Sequence, residues 1–233
     1  MTGGSIMNEQ FLEMLKKEYD VTESNIGNDA NLSKSGMKFN IRSFEVKGLG
    51  HLCLMSMKAM LGLMKMETAV LSAETKDVPL FNIDSISAMG NKTQLVEFYD
   101  NQIAPLSEEA ASRYMKIKES GPELEPYVSG EHWYDPILYP FSYAKKKKGN
   151  TDVFDDICRK YIAEYLEQLK TAPDCDPVEK KEKTAAFAQG LLDNGGPAVD
   201  QFKKLFGEDA AKRIILGHMY GVLKKTKVVK VKF

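Results

Sequence analysis

Residues 78–100 read VPLFNIDSISAMGNKTQLVEFYD, and the alternation of apolar runs and breakers in this stretch decides the fold class. Two runs rich in apolar and β-forming residues, Pro79 to Met89 and Thr93 to Tyr99, read as strands. Gly90-Asn91-Lys92 between them supplies the Gly and Asn that a tight reversal needs. A connection this short leaves no room for a helical crossover, so the two strands pair antiparallel. No GxGxxG and no GxxxxGK[ST] run occurs anywhere in the chain, so a parallel nucleotide-binding sheet loses its usual support.

Working outward toward the N-terminus, the period of two continues. Phe39 and Ile41, Phe44 and Val46, Leu52 and Leu54, and Met64 and Met66 mark further strands. His51 to Met60 running into Met64 to Leu71 through Leu61-Gly62-Leu63 reads as a hairpin, although its Met and Leu density also suits a buried helix. Before these lie a polar loop, Thr22 to Gly36, and a short amphipathic helix over 8–19 with Phe11, Leu12, Leu15 and Tyr19 at helical spacing.

Toward the C-terminus the period lengthens. Ser107 caps a helix that runs to Lys118, with Glu108 and Glu109 in its first turn. Pro122, Pro126, Gly130, Pro136 and Pro140 mark an irregular region with an edge strand over Ile137 to Ala144. Val153, Ile157, Tyr161 and Tyr165 form one helical stripe, and helices follow over Glu179 to Leu192, Pro197 to Phe206 and Glu208 to Leu223. The closing KKTKVVKVKF alternates like a strand. Strands first and helices later is the order of an α+β protein, one domain over 1–233 with 1–36 as helix and loop and 222–233 as a basic tail.

Composition bounds the function. The 233 residues are 43% hydrophobic and 28% charged, as in an ordinary globular protein. Their net charge of -1 lacks the basic excess of a nucleic-acid binder. Cys53, Cys158 and Cys175 are too few and too far apart for a disulfide framework or zinc site, and His51, His132 and His218 form no helical metal pair. No run reaches the ~18 apolar residues of a membrane span and no leader is evident, so the cytoplasm is the default expectation. Of the 32 basic residues, nine fall in Lys145 to Lys148 and in the five lysines after Gly221, leaving 23 against 33 acidic ones elsewhere. These clusters are either solvated surface or a docking face for an acidic partner.

Two carboxylates stand in otherwise apolar strands: Glu67 in MKMETAVL and Asp84 in VPLFNIDSI. Enclosed by apolar side chains, such a group holds its proton near neutral pH and can donate it. On the solvated face of a strand it would do nothing of the kind. The alternation alone leaves both readings open. The Met-rich stretch Met55 to Met66 reads as core filler before it reads as a haem surface.

The segments METAVL leading into VPLFNID, HWYDPILYPFS (132–142), and LLDNGGPAVDQFKKLFGEDAAKRIILGHMYG (191–221) together resemble the ferredoxin-dependent bilin reductases and the related red chlorophyll catabolite reductase. Their order and spacing match from about Phe39 to Gly221. The resemblance implies an α/β/α sandwich with a central antiparallel sheet of about six strands flanked by helices. It also implies an oxidoreductase that reduces a linear tetrapyrrole lying between the sheet and the C-terminal helices. Such enzymes bind no metal or flavin; electrons come singly from reduced ferredoxin or flavodoxin, the pigment passes through a radical, and carboxylic acids supply protons. By position Asp84 matches the family's proton-donating aspartate. Glu67 falls where bilin reductases often have histidine and where the chlorophyll-catabolite branch has glutamate, so the two are expected to face one pocket. Gly195-Gly196 stands where many members have an Asn-Asp pair, which leaves Asp193 as the third candidate catalytic residue and a non-catalytic tetrapyrrole-binding protein as the alternative. Arg42, Arg113, Arg159, Lys160 and Arg213 are candidate contacts for the pigment's propionates. The electron carrier is expected to dock on Lys145, Lys146, Lys147 and Lys148 and on Lys224 and Lys225 of the tail.

Overall fold

The computed structural model describes residues 6–149 and 152–223. Among them nine strands form one antiparallel sheet: β1 (Val21–Glu23), β2 (Asn31–Lys34), β3 (Met37–Val46), β4 (Gly50–Ala59), β5 (Met64–Ala73), β6 (Leu80–Ala88), β7 (Asn91–Tyr99), β8 (Glu125–Pro126) and β9 (Tyr143–Lys148). They lie in the order β1-β3-β4-β5-β6-β7-β9-β8, with β2 paired to β3 beside β1. The expected six strands are the six long ones, β3 to β7 and β9; three strands of two to four residues extend the two edges. The hairpin expected over 51–71 forms as β4 and β5, and the one at 79–99 as β6 and β7. Met89 and Gly90 make the second turn with φ of 48° and 79°, left-handed at both positions as a two-residue turn matching strand twist requires.

Helices cover both faces. On one lie α1 (Ile6–Lys16), α2 (Glu108–Ser120) and α3 (Asp155–Thr171), and on the other α4 (Pro177–Asn194), α5 (Pro197–Phe206) and α6 (Glu208–Lys212), which continues as a π-helix over Arg213–Met219. Each face has its own core. On the α3 side Phe81 stacks between Phe98 and Tyr165, with ring centroids 4.8 and 4.5 Å away. The buried Tyr161 and Tyr165 hydroxyls donate to the Phe141 and Pro79 carbonyls, each at 2.8 Å, so the two tyrosines of the predicted stripe are buried without losing their hydrogen bonds. β3 serves both cores by alternation: Phe39 and Ile41 point to α5 and the π-helix, and Phe44 and Val46 to α1 and α3.

Three expectations need correction. The loop over 22–36 contains β2 and part of β1, short polar segments whose pairing to β3 leaves no hydrophobic alternation to read. The edge strand over 137–144 shifts to 143–148, where four lysines occupy strand positions; polar partners on β7 and lysine's solubility make this tolerable near a sheet edge. The last helix is not one α-helix but a short α-helix followed by a π-helix. The strand-like reading of the tail falls outside the described residues. Among those described, no helix is long and apolar enough to cross a membrane.

α4 is fastened by a buried lysine. Lys180, 1% exposed, donates to the carbonyls of Val78 at 2.7 Å and Asn101 at 3.0 Å and to the Asn101 side chain at 3.1 Å, with the Asp77 carboxylate 3.5 Å away. Asp77 in turn accepts from the backbone of Ile103 and Ala104 at 2.9 and 2.8 Å. The loops at one end of β6 and β7 are thereby tied to α4.

Candidate functional site

Between the sheet and the C-terminal helices lies a cavity of about 520 Å³, in the range of a small-molecule site. Its floor is β3 to β7: Met37, Phe39, Met57, Met64, Met66, Ile86 and Leu95 make it apolar and, through the methionines, adaptable. Phe187 and Leu191 of α4, Val199 and Phe202 of α5, and Ile215, Met219 and Tyr220 at the π-helix form the opposite wall. Among the described residues, Asp84 and Glu97 are the only acidic or basic side chains lining it.

Register brings these two together. β6 and β7 pair Asn82 with Glu97 and Asp84 with Leu95, so Asn82, Asp84 and Glu97 share a face. The Asn82 amide donates to Asp84 Oδ2 at 2.8 Å and to Glu97 Oε2 at 2.9 Å. Thr68, directly opposite Asp84 on β5, donates to Asp84 Oδ1 at 2.5 Å. Tyr99 donates to Glu97 Oε2 at 2.8 Å. Burial pushes the Asp84 carboxyl above its ordinary range against the pull of the Thr68 and Asn82 hydrogen bonds. Glu97 is pushed up to about 7, first by burial and then by the charge of Asp84, with the Tyr99 and Asn82 bonds acting in the other direction. Two carboxyl groups bridged by one amide in an apolar cavity cannot both ionise cheaply, so the pair retains a proton near neutral pH. Tyr220 sits in the same electrostatic environment; burial first, then both carboxyls, hold its phenol neutral.

Two further segments fix the walls. Trp133 donates from Nε1 to the Gly195 carbonyl at 3.0 Å and lies against Gly190, where a β-carbon would come within 2.5 Å of the indole. Tyr134 beside it lines the cavity and meets Tyr99 edge-on at 5.6 Å. The π-helix is clamped by Asp29, which accepts from Arg213 at 2.6 and 2.8 Å and lies 2.9 Å from His218 Nε2. The Arg213 hydrogen bonds lead in holding the Asp29 carboxyl down at about 2.

Of the residues expected from sequence, Asp84 lies on the cavity floor. Glu67 does not share the cavity: it pairs with Ser85 while Thr68 pairs with Asp84, and the period of two sends Glu67 to the α3 face near Lys65, Lys92 and Cys158. Asp193 is exposed at the end of α4, accepting from Gln189 at 2.8 Å; Gly196, not Asp193, reaches the cavity. None of Arg42, Arg113, Arg159, Lys160 or Arg213 lines it either; Arg42 is engaged by Glu9 and Glu23, Arg113 by Glu109 and Glu164, and Arg213 by Asp29. The Lys145–Lys148 cluster divides by alternation, and Lys146 pairs with Glu125 while Lys145 donates to the Leu124 carbonyl. Lys224 and Lys225 lie outside the described residues. Glu97 escaped the sequence reading although VEFY carries the signal used for Glu67 and Asp84, a carboxylate within an apolar strand.

No protein-family profile matches the chain, and no curated protein matches its sequence. Among solved structures, a crystal structure of selenomethionine phytochromobilin synthase from tomato in complex with biliverdin is similar in fold, with a TM-score of 0.73 at 13% identity. The alignment covers 92% of this chain and 81% of that one.

Proposed function

We propose that this chain binds a linear tetrapyrrole of the bilin class in the cavity and reduces it with single electrons from a reduced ferredoxin or flavodoxin. Each two-electron step takes one electron from each of two carrier molecules and two protons from the Asp84–Glu97 pair and solvent, converting one double bond of the pigment to a single bond with two new C–H or N–H bonds. The radical left after the first electron is the species that needs a proton close by. The observation that carries the reading is the carboxyl pair: two groups with raised pKa, bridged by Asn82, are the only acidic or basic side chains lining the cavity among the described residues. The shape of the fold agrees, since the similar structure holds biliverdin.

Glu97 takes the part of second acid that the sequence suggested for Glu67. The link to the chlorophyll-catabolite branch rested on Glu67, so a bilin is the favoured substrate class. With no Arg or Lys lining the cavity among the described residues, the propionates of a bound pigment are left in water at its mouth. The alternative, a tetrapyrrole-binding protein without turnover, draws on the exposure of Asp193, which leaves the α4–α5 wall without a carboxyl.

Anaerobic incubation with biliverdin and reduced ferredoxin, followed by absorbance, decides between them. Binding shifts the pigment's spectrum in either case. Loss of the long-wavelength band after reductant is added establishes the enzyme; a stable bound spectrum over many equivalents of reduced ferredoxin establishes the binding protein; no spectral change on mixing refutes both.

A further inference from the structure

The face of the sheet opposite the cavity carries a feature that the pigment site does not use. Lys38 on β3 lies opposite Lys58 on β4, Lys58 opposite Lys65 on β5, Lys65 opposite Ser87 on β6, Ser87 opposite Lys92 on β7, and Lys92 opposite Lys147 on β9. One transverse row of the sheet thus holds five lysines on six strands, a span of roughly 24 Å at the ~4.8 Å strand spacing. Like charges directly opposite one another destabilise a sheet, and among the described residues only Lys92 is relieved, by Asp155 at 3.6 Å. Among the described residues no acidic group lies within ion-pair distance of Lys38, Lys58, Lys65 or Lys147. The next row inward is polar as well, including Asn40, Ser56, Glu67 and Ser85, and Asn40, Lys38, Lys58 and Lys65 are exposed.

Just beyond the row, the tips of two neighbouring hairpins hold large apolar side chains in solvent: Met60 at 53%, Leu61 at 106%, Leu63 at 65% and Met89 at 75% exposure. The tips are joined by a hydrogen bond from Met89 N to the Leu63 carbonyl at 3.2 Å. Met60, Leu61 and Met89 have φ of 51°, 54° and 48°, a left-handed backbone that bulky residues rarely adopt. Exposed apolar groups beside unpaired charge are the makings of a contact surface. Its position is specific too. Met64 and Met66, which flank Lys65, and Met57, next to Lys58, turn the other way and line the cavity, so this surface backs onto the cavity floor with one sheet thickness between them.

We propose that the lysine row and the two hairpin tips dock a small acidic electron-carrier protein, whose acidic rim meets Lys38, Lys58, Lys65 and Lys147 and whose apolar centre meets Leu61 and Met89. The proposal rests on the electron-transfer reading above and replaces the Lys145–Lys148 cluster with a row that strand pairing assembles. A protein suits this face better than an anionic membrane, because Glu67 lies in the polar row directly behind the lysines and the surface abuts the cavity an electron must reach.

The test is the triple variant Lys38→Gln/Lys58→Gln/Lys65→Gln, with an acidic [2Fe–2S] ferredoxin as the probe. Direct titration at low ionic strength is expected to show ferredoxin binding weakened at least about fivefold, with biliverdin binding unchanged as proof of folding. Added salt should weaken the wild type steeply and the variant little, since screening acts over ~8 Å at physiological ionic strength. Leu61→Ser/Met89→Ser should weaken binding while leaving the salt dependence in place. Wild-type affinity in the triple variant, or a wild type that binds no ferredoxin, overturns the proposal. So does capture by phosphatidylglycerol vesicles that is lost in the triple variant while ferredoxin binding persists. The two readings fail separately: ferredoxin that docks on the row without reducing bilin refutes the enzyme and leaves the surface, whereas bilin reduction with an unaltered Michaelis constant for ferredoxin in the triple variant refutes the surface and leaves the enzyme.

Discussion

Replacing Asp84 with Asn removes a proton and a charge from the cavity while nearly preserving shape. Both Asp84 and Glu97 are bonded to the one nitrogen of Asn82, so their oxygens lie no farther apart than those two bonds end to end, about 5.7 Å. At an effective dielectric of ~20, unit charges at that separation repel by roughly 3 kcal/mol, equivalent to about two pKa units. Because about 5.7 Å is the longest that separation can be, this is a floor for two fully charged groups at that dielectric, and burial still leads in raising Glu97. The new amide also faces the Asn82 amide, and a weakened Asn82 bond to Glu97 partly offsets the fall. In Asp84→Asn the Glu97 carboxyl is therefore expected to titrate below its wild-type value of about 7, while burial keeps it above the ordinary carboxylate value. Loss of the positioned acid should slow pigment reduction by roughly 10²- to 10⁴-fold, the usual worth of general acid catalysis, while biliverdin still binds. Anaerobic stopped-flow absorbance with reduced ferredoxin would show the one-electron-reduced pigment accumulating, and carboxyl-stretch infrared titration would follow Glu97. Wild-type rate and product in Asp84→Asn, or an unmoved Glu97 titration, would refute the coupling on which the site is built.

Four other outcomes follow from the same geometry. Glu97 has a folded pKa of about 7 above an ordinary value of 4.5, so the stability its protonation confers is fully present below about 4.5 and is lost as pH rises through about 7; Glu97→Gln should flatten that loss, worth at most about 3 kcal/mol, in urea melts at pH 4.5 and 8. Gly190→Ala puts a methyl into the Trp133 indole, and the overpacking should cost about 1–3 kcal/mol and weaken biliverdin binding by shifting the Gly195–Gly196 wall; unchanged affinity and melting would count against Trp133 as the brace of that wall. Asp29→Ala unclamps Arg213 and His218, so pigment affinity should fall severalfold; the wild type should lose the same support only in acid, because a carboxyl lowered to about 2 from 3.8 stabilises above the ordinary value and ceases to as pH falls through about 2. Lys180→Ala leaves Asp77 buried without its counter-charge and should destabilise the chain by about 3–5 kcal/mol in chemical denaturation, a loss that a conservative surface change such as Lys181→Ala would not produce.

The parts of the site that sequence could reach and those it could not differ by one kind of information. Asp84 was legible as a candidate because it interrupts the apolar run LFNIDSI, while alternation by itself left open which face it takes. Glu97 gave the same signal in VEFY, and the turn beside it, once placed at Met89 and Gly90, would have set the β6–β7 register and put Glu97 diagonal to Asp84. Glu67 is the opposite case. Its partner strand lies across the longer connection between Ala73 and Leu80, whose length fixes no register, and a shift of one residue separates Thr68 over the cavity from Glu67 on the far face. The lysine row shows this more strongly: its members come from positions 38, 58, 65, 92 and 147 and share nothing along the chain.

The local sequence pattern was enough for the fold class, five of the six long strands, most of the helices and a candidate acid within an apolar strand, because periodicity, turn residues and caps act over a few neighbouring residues. Tertiary structure alone decided which carboxyl faces Asp84, that Asn82 joins Asp84 to Glu97, that Asp29 clamps the π-helix from 184 residues away, and that scattered lysines stand in one line. The physical reason is that strand pairing converts sequence parity into side: each residue's face depends on a register set by partners distant in the chain, and a single-residue change in that register exchanges the cavity for the opposite surface.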